Sequence, residues 1–515
     1  MSRSSLGLFG SAAMIAVLAL PAFAAKPEKV EGAYYVAFKD GVKEKNKAMV
    51  KSHGASVTDE IAEAGAIEIK IGNSVALLAI QNNPNVLYVE EVPMRYKMDL
   101  TTQQVTPSVS NGLYGLVTTK AVNVHNAGNS GGGIRVGVAD TQLDIAHVDI
   151  AGNLVASIDC VQKNPCSGSG YQNDGETHAT HVAGTILAVN NTSGVLGVAY
   201  SSKLTHARVL GPTGGSSSDI MRGVRWMVET QSTKIINLSL GGGLKSRTEE
   251  NFYKEMRTKG AVVVAATGND GATRVSYPAA YPVNVAVGAV DKNDVVATFS
   301  NKGTGIDVTA PGVLVLSSVP TGTGKEASAG TATSTFTAFG LEFAGSTSGT
   351  TGTLVNCGIG NPGECATNGA TGFVALIQRG TLDFATKVTN ATNQGAAAAI
   401  IYNNAAGDFT GTLGAAGAWI PAVSISDAAG ATLKTQVGAA ATVVNQASSW
   451  DYYDGTSMAT PHAAGVVALI WASNPLLSAS DVETKLKNGC DDKGAAGYDT
   501  TYGHGRVNAA KSLGL

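Results

Sequence analysis

Charge is scarce in this chain of 515 residues: only 15% are Asp, Glu, Lys or Arg, and they sum to −3. So small a net charge leaves no basic footprint for a nucleic acid, and the low charged fraction is unusual for a cytoplasmic protein. Long apolar runs are missing as well. Past the first 24 residues no stretch reaches the roughly 18 uninterrupted apolar residues of a membrane span. The apolar stretch Leu6–Leu20, with Arg3 before it and Ala22-Phe23-Ala24 after it, is too short and too rich in small residues to be an anchor. It reads as a signal peptide over residues 1–24, which implies a secreted, extracellular protein. Cysteine is sparse too, at five. Cys160 and Cys166 bracket a short polar loop, as do Cys357 and Cys365, so local pairing in an oxidising compartment is expected, contributing about 2–3 kcal/mol each. Cys490 is left over, either buried and free or drawn into another pairing. The length exceeds one usual domain.

What is present concentrates in three segments. Gly455-Thr456-Ser457-Met458-Ala459-Thr460-Pro461-His462 sets a small-residue turn before the apolar run Ala463–Trp471, which reads as a buried helix. A serine in a first helical turn has an unsatisfied backbone N–H aimed outward, where an oxyanion could be held. Pro461 is expected within that first turn, where proline is tolerated. Ile134–Thr141 is an apolar run ending at Asp140, as a buried parallel strand would with its acid at the ligand-binding carboxyl end. Thr177–Thr185 carries His178 and His181 on one helix face. That spacing also suits a metal, but no third ligand follows at suitable spacing. Each segment alone has an ordinary structural explanation in turn, cap or core chemistry. Together they supply Asp, His and Ser in one of the chain orders in which a nucleophilic triad recurs.

On these residues the chain resembles the subtilisin family of serine proteases. His178–Thr185 matches the family's histidine motif, with Ala179 where glycine is usual. Gly455–His462 matches its serine motif without a departure, and Val138–Thr141 its aspartate motif, with Thr141 for the common serine. The resemblance covers most of residues 109–320 and 450–515. It implies an α/β fold: a doubly wound parallel-sheet catalytic domain. Ser457 would be the nucleophile, His178 the base and later acid, and Asp140 the group that fixes the imidazole. His181 and His462 are expected to be packed structural histidines.

Further expectations follow from the same resemblance. Asn269, after the apolar run Val262–Ala266, matches the side-chain donor of the oxyanion hole, with Thr267 where alanine is usual. Ser239-Leu240-Gly241 would pair with an extended substrate by β-augmentation. Ala266, Gly268 and Ser276 would line the main specificity pocket, a small Ser276 leaving room for a large apolar or aromatic side chain. Asp149, Val189, Asn191, Ser193 and Val195 match a calcium loop, whose hard oxygen ligands suit that ion.

Residues 25–98 read as a small α+β module, with strands at Ala33–Phe38, Ala66–Ile71 and Val86–Val92, helices at Val42–His53 and Val75–Asn82, and Ser56–Ile61 ambiguous. Its place resembles that of the family's inhibitory propeptide, with the end between 95 and 110 and Met98 and Leu100 as the large apolar residues nearest it. Residues 325–449, with only ten charged residues, alternate strand and helix signals and resemble an inserted β-rich α/β protease-associated (PA) domain. The catalytic domain then spans 109–324 and 450–515. The expected function is a secreted serine endopeptidase acting on protein or peptide substrates. It would use calcium, be inhibited by its own propeptide, be a monomer, and prefer large apolar or aromatic residues before the scissile bond. A catalytically silent binding protein and a peptide ligase or cyclase are the alternatives.

Overall fold

The computed structural model describes residues 26–98, 113–367 and 369–515. The expected signal segment, Leu100 and the rest of the expected junction beyond Met98 fall outside them. In the amino-terminal module, β1 (Lys29–Phe38), β2 (Ser56–Ile61), β3 (Ala66–Lys70) and β4 (Val86–Lys97) form an antiparallel sheet in the order β4-β1-β3-β2. The ambiguous segment is therefore a strand, at the edge. The last strand, expected to stop at Val92, continues to Lys97 because the catalytic domain supplies it with new pairing partners.

Seven apolar runs of that domain build one parallel sheet: β5 (Arg135–Asp140), β6 (Leu154–Asp159), β7 (Lys203–Arg208), β9 (Ile235–Leu238), β11 (Val262–Ala266), β12 (Val285–Val290) and β13 (Val308–Pro311). Their order is β13-β12-β11-β9-β5-β7-β6. Helices cover both faces, so the central strands are buried on both sides; every residue of Val262–Ala266 is. The helix Thr456–Ser473 is buried from Thr456 to Trp471, as a helix apolar all round must be. Two short strands stand apart from this sheet, β8 (Gly215–Ser216) and β10 (Leu240–Gly241), and between them they pair with the tail of β4.

The insertion leaves and returns through adjacent strands: Val315–Ser318 pairs antiparallel with Trp450–Tyr453. This pairing lets a large folded insertion separate Asn269 from Ser457 without disturbing the parallel sheet. Between the two strands lies an eight-stranded sheet with its own core. Phe373–Gln378 is a strand, Phe384–Asn393 a helix and Ala396–Tyr402 a strand, the last two within one residue of the ranges 384–394 and 397–402 that the sequence suggests. Cys160–Cys166 and Cys357–Cys365 are disulfides, and Cys490 is free and buried, its thiol pushed up to about 12 by burial. Among the described residues no helix is long and apolar enough to cross a membrane.

Candidate active site

Three neighbouring strands deliver the site. β5 ends in Asp140, β9 runs into Ser239, and β11 runs into Gly268 and Asn269. This is the carboxyl edge of the sheet, where strand order reverses and open α/β folds bind ligands. His178 opens the His178–Leu187 helix, and its Nδ1 lies 2.7 Å from Asp140 Oδ1, both side chains fully buried. An imidazole nitrogen facing a carboxylate donates to it, which fixes the tautomer and leaves Nε2 as the reactive atom.

Ser457 sits in the first turn of its helix, after Gly455 at φ 150°. Pro461 is not in that turn, as expected from sequence, but in the second, where its missing N–H strips Ser457 of an intrahelical partner. Ser239 repairs the loss: its Oγ donates to the Ser457 carbonyl at 2.9 Å. Asn237 Nδ2 in turn donates to Ser239 Oγ at 2.9 Å. The Ser457 hydroxyl donates to the Ser239 carbonyl at 2.8 Å.

Two donors converge on one carbonyl oxygen, that of Met98. Asn269 Nδ2 reaches it at 2.7 Å and the Ser457 amide at 3.2 Å. The orientation of the Asn269 amide follows from its other end, where Oδ1 accepts from the Thr456 amide at 2.9 Å and the Thr456 hydroxyl at 2.8 Å. Both donors are fixed before any charge develops, as an oxyanion hole requires.

The segment leading to Met98 lies in the cleft as a strand between two edges. Met94 and Arg95 face Ser216 and Gly215 of β8, and Tyr96 and Lys97 face Gly241 and Leu240 of β10. The Met98 amide donates to the Ser239 carbonyl at 3.2 Å. Glycine walls make room for this strand. A Cβ on Gly214 would stand 2.6 Å from the Arg95 carbonyl, and one on Gly242 2.8 Å from that of Met94. A Cβ on Gly241 would stand 2.6 Å from Met98 Cε and 3.4 Å from Ser276 Cβ, which puts the Met98 side chain beside the expected pocket residues. Gly268, at φ 111°, has Ser276 Oγ 2.6 Å from where a Cβ would be and Asn301 Nδ2 closer still, so only glycine fits there. Leu240 and Ala266 are buried beside it.

The module also docks through charge. Glu90 accepts from the Ser246 hydroxyl and Thr248 amide at 2.8 Å each and the Arg247 amide at 3.0 Å, capping the Arg247–Thr258 helix. Arg225 grips Glu63, and Tyr35 bonds Ser217 and Ser218 on the neighbouring helix.

One residue of the cleft does not show itself in the sequence. Ser246-Arg247-Thr248-Glu249 reads as a capping box, which would turn the Glu249 carboxylate back to the Ser246 amide. Half of that holds: Ser246 Oγ accepts from the Glu249 amide at 3.1 Å. The Ser246 amide donates instead to Tyr281 Oη at 2.9 Å, and the Glu249 carboxylate holds the guanidinium of Arg95.

His181 and His462 are packed as expected. Burial lowers His181 to about 3 and His462 to about 4; the first stacks on Tyr453 with ring centroids 4.3 Å apart.

The expected calcium loop centres on Asp149. Asp149 is fully buried, but its carboxylate already receives three hydrogens: from Trp450 Nε1 at 2.6 Å, Ser318 Oγ at 2.9 Å and Asn191 Nδ2 at 3.0 Å. Asn191 Oδ1 is occupied by the Ser193 amide at 3.0 Å. Both side-chain ligands expected beside the backbone oxygens of Val189, Ser193 and Val195 are thus bonded to donors. Carboxylates that ligate a metal are hydrogen-bonded as a rule, and a fully buried Asp149 beside these backbone oxygens is a donor set that fits a hard cation such as calcium.

A buried Ser, His and Asp, with two donors on the carbonyl of an extended chain, define a serine endopeptidase on a subtilisin-like fold. The subtilase family model matches residues 131–352 and the PA domain model residues 350–433. The chain is 36% identical over 313 residues to subtilisin E of Bacillus subtilis (strain 168), covering 59% of this chain and 77% of that protein. It is 42% identical over 215 residues to the subtilisin of Bacillus pumilus, covering 41% and 76%. Among solved structures, the psychrophilic subtilisin-like protease Apa1 from Pseudoalteromonas sp. AS-11 matches with a TM-score of 0.60 and 28% identity, over 80% of this chain and 97% of that one. The chain belongs to the subtilase family.

Proposed function

We propose that this protein is a secreted endopeptidase, made as a precursor, that cuts itself between Met98 and Asp99 and is then inhibited by residues 25–98. Residues 109–324 and 450–515 carry the catalysis, and residues 325–449 form the inserted PA domain. The single observation that carries the reading is the Met98 carbonyl, held by Asn269 and Ser457 at the end of a strand paired on both edges. That is where the acyl carbon of a scissile bond belongs.

In the reaction, His178 Nε2 removes the proton of Ser457 Oγ as the oxygen attacks the carbonyl carbon. The hydroxyl must first leave the Ser239 carbonyl and rotate toward the imidazole. Negative charge moves onto the carbonyl oxygen, where Asn269 Nδ2 and the Ser457 amide meet it. The Asp140 carboxylate stabilises the imidazolium and remains ionised. His178 then gives its proton to the leaving amine, and the acyl-enzyme is hydrolysed by water activated on the same imidazole. Met98 in the pocket beside Ser276 favours large apolar side chains before the bond. No step uses a metal.

Amino-terminal sequencing and fluorophosphonate labelling test this. The wild type should mature to a chain beginning at Asp99 and label at Ser457. Ser457→Ala should stay uncut in a protease-free refolding mixture and take no label. Correct processing of Ser457→Ala, or a mature start directly after Lys97, would overturn the reading.

A further inference from the structure

Counting back from the Met98 carbonyl, Arg95 is the fourth residue before the proposed scissile bond. Its side chain is fully buried, and so is that of its partner, Glu249. The guanidinium spans the carboxylate: Nη2 donates to Oε2 and Nε to Oε1, the latter at 3.3 Å. Nη2 also donates to the Leu244 carbonyl at 3.0 Å, and Nη1 to the Met94 carbonyl at 3.2 Å. On its far side Glu249 accepts from Tyr281 Oη at 2.8 Å. Glu249 thus closes the floor of a pocket whose mouth is the cleft strand.

We propose that Glu249 makes this cleft select arginine at the fourth position before the scissile bond, so that its substrates are peptides with Arg there and a large apolar residue at the bond. This rests on the proposed function, because it takes the strand pairing of residues 94–97 as the path of any substrate. Arg95 is held in the ladder opposite Gly215, so a substrate pairing with the same two edges must present its own fourth side chain to Glu249.

Three physical arguments favour arginine over the alternatives. The planar guanidinium meets both carboxylate oxygens and a carbonyl at once, which the point charge of lysine cannot do. The pair lies out of water, where charge-assisted hydrogen bonds are strongest. An apolar side chain would fit the space but seal the Glu249 carboxylate from solvent with no counter-charge, so the pocket rejects as well as attracts. The Lys97–Glu176 pair, by contrast, lies at 2.7 Å with a lysine side chain 32% exposed, and screened pairs of that kind discriminate little.

The test uses mature wild-type enzyme and four chromogenic peptides, Xaa-Tyr-Lys-Met with Arg, Lys, Leu or Ala first. Arg should exceed Leu and Ala in kcat/KM by on the order of 100-fold, the loss expected when one member of a buried charge pair is removed, with Lys between. In Glu249→Gln and Glu249→Leu the ratio of Arg to Leu should collapse to within a few-fold. Should neither variant mature, the wild-type series decides alone. Wild-type rates for Arg and Leu within threefold of each other, in enzyme that labels with fluorophosphonate, overturn the pocket and leave the proposed activity standing. Cleavage of none of the four by labelled enzyme overturns it too. Failure to label at all removes the activity, and this assignment with it.

Discussion

Asn269 offers the sharpest test of the site, because its two ends do different things. Nδ2 donates to the Met98 carbonyl at 2.7 Å, the shorter of the two bonds to that oxygen. Oδ1 holds the first turn of the serine helix through Thr456, at 2.9 Å to its amide and 2.8 Å to its hydroxyl. Asn269→Ala removes both functions. Loss of one oxyanion donor costs about 2.7–4 kcal/mol of transition-state stabilisation, a 100- to 1000-fold drop in kcat. A ground-state carbonyl is held far less strongly, so KM should stay within a few-fold. The freed Thr456 amide adds about 1–3 kcal/mol of lost stability, because a donor is left without its partner. Asn269→Asp separates the effects. It keeps an acceptor for Thr456 but places carboxylate charge beside the oxyanion. Its kcat should fall at least as far as that of Asn269→Ala, while its Tm stays closer to wild type. Steady-state kinetics on the Arg-Tyr-Lys-Met peptide and a melting curve for each variant measure both. A folded Asn269→Ala with kcat within threefold of wild type would refute the oxyanion role. An Asn269→Asp less active-site-damaging than Asn269→Ala would refute the charge argument.

Excess EGTA should lower the melting midpoint, because an ion bound only by the native state stabilises it by mass action. An unchanged melting curve with and without EGTA would remove calcium from the loop. Acid should destabilise the fold through its buried histidines: burial holds His181 at about 3 and His206 and His462 at about 4, against 6.5 when unfolded. The unfolded chain then binds protons that the folded chain refuses, so stability is full above pH 6.5 and falls as pH drops toward 4. Over the roughly 2.5 pH units from 6.5 to 4, each of the three costs about 3 kcal/mol. Melting curves from pH 8 to pH 4 check this, and a flat Tm across that range would contradict it.

Legibility in the sequence follows the range over which each residue acts. The places of Asp140, His178, Asn269 and Ser457 are readable because each depends on a local turn: a strand end, a helix start, a glycine beside the donor. Glu249 is not, because the same Ser-x-x-Glu spacing serves a helix cap, and what diverts it is Arg95, 154 positions away in sequence. The hydrogen that Trp450 gives Asp149 is equally hidden, since it comes from 301 positions away. β4 reads short because propensity ends at Val92, while pairing with β8 and β10 extends it to Lys97. Pro461 reads a turn too early, since its neighbourhood gives no sign that Ser239 would supply the missing partner. In each case the local pattern is sound and a distant side chain decides the outcome.

That long-range dependence bears on how a precursor would find its own scissile bond. β4 is one unbroken strand from Val86 to Lys97, so its docking and its presentation to Ser457 are mechanically one object. Glu90 is fixed on the amino end of the Arg247–Thr258 helix, and Glu249, in the first turn of that helix, fixes Arg95. Two anchors five residues apart on a strand are about 17 Å apart along it, at a rise of roughly 3.3 Å per residue. Both are received by a single rigid helix terminus, so little slack remains between them. A slip of one residue would move the Met98 carbonyl by about 3.3 Å, out of reach of both donors, and turn Arg95 to the opposite face. Buried charge therefore holds the register, and under the proposed function the register selects the bond. A pocket that measures the fourth residue in the protein's own segment will measure it in any other peptide that enters by the same strand.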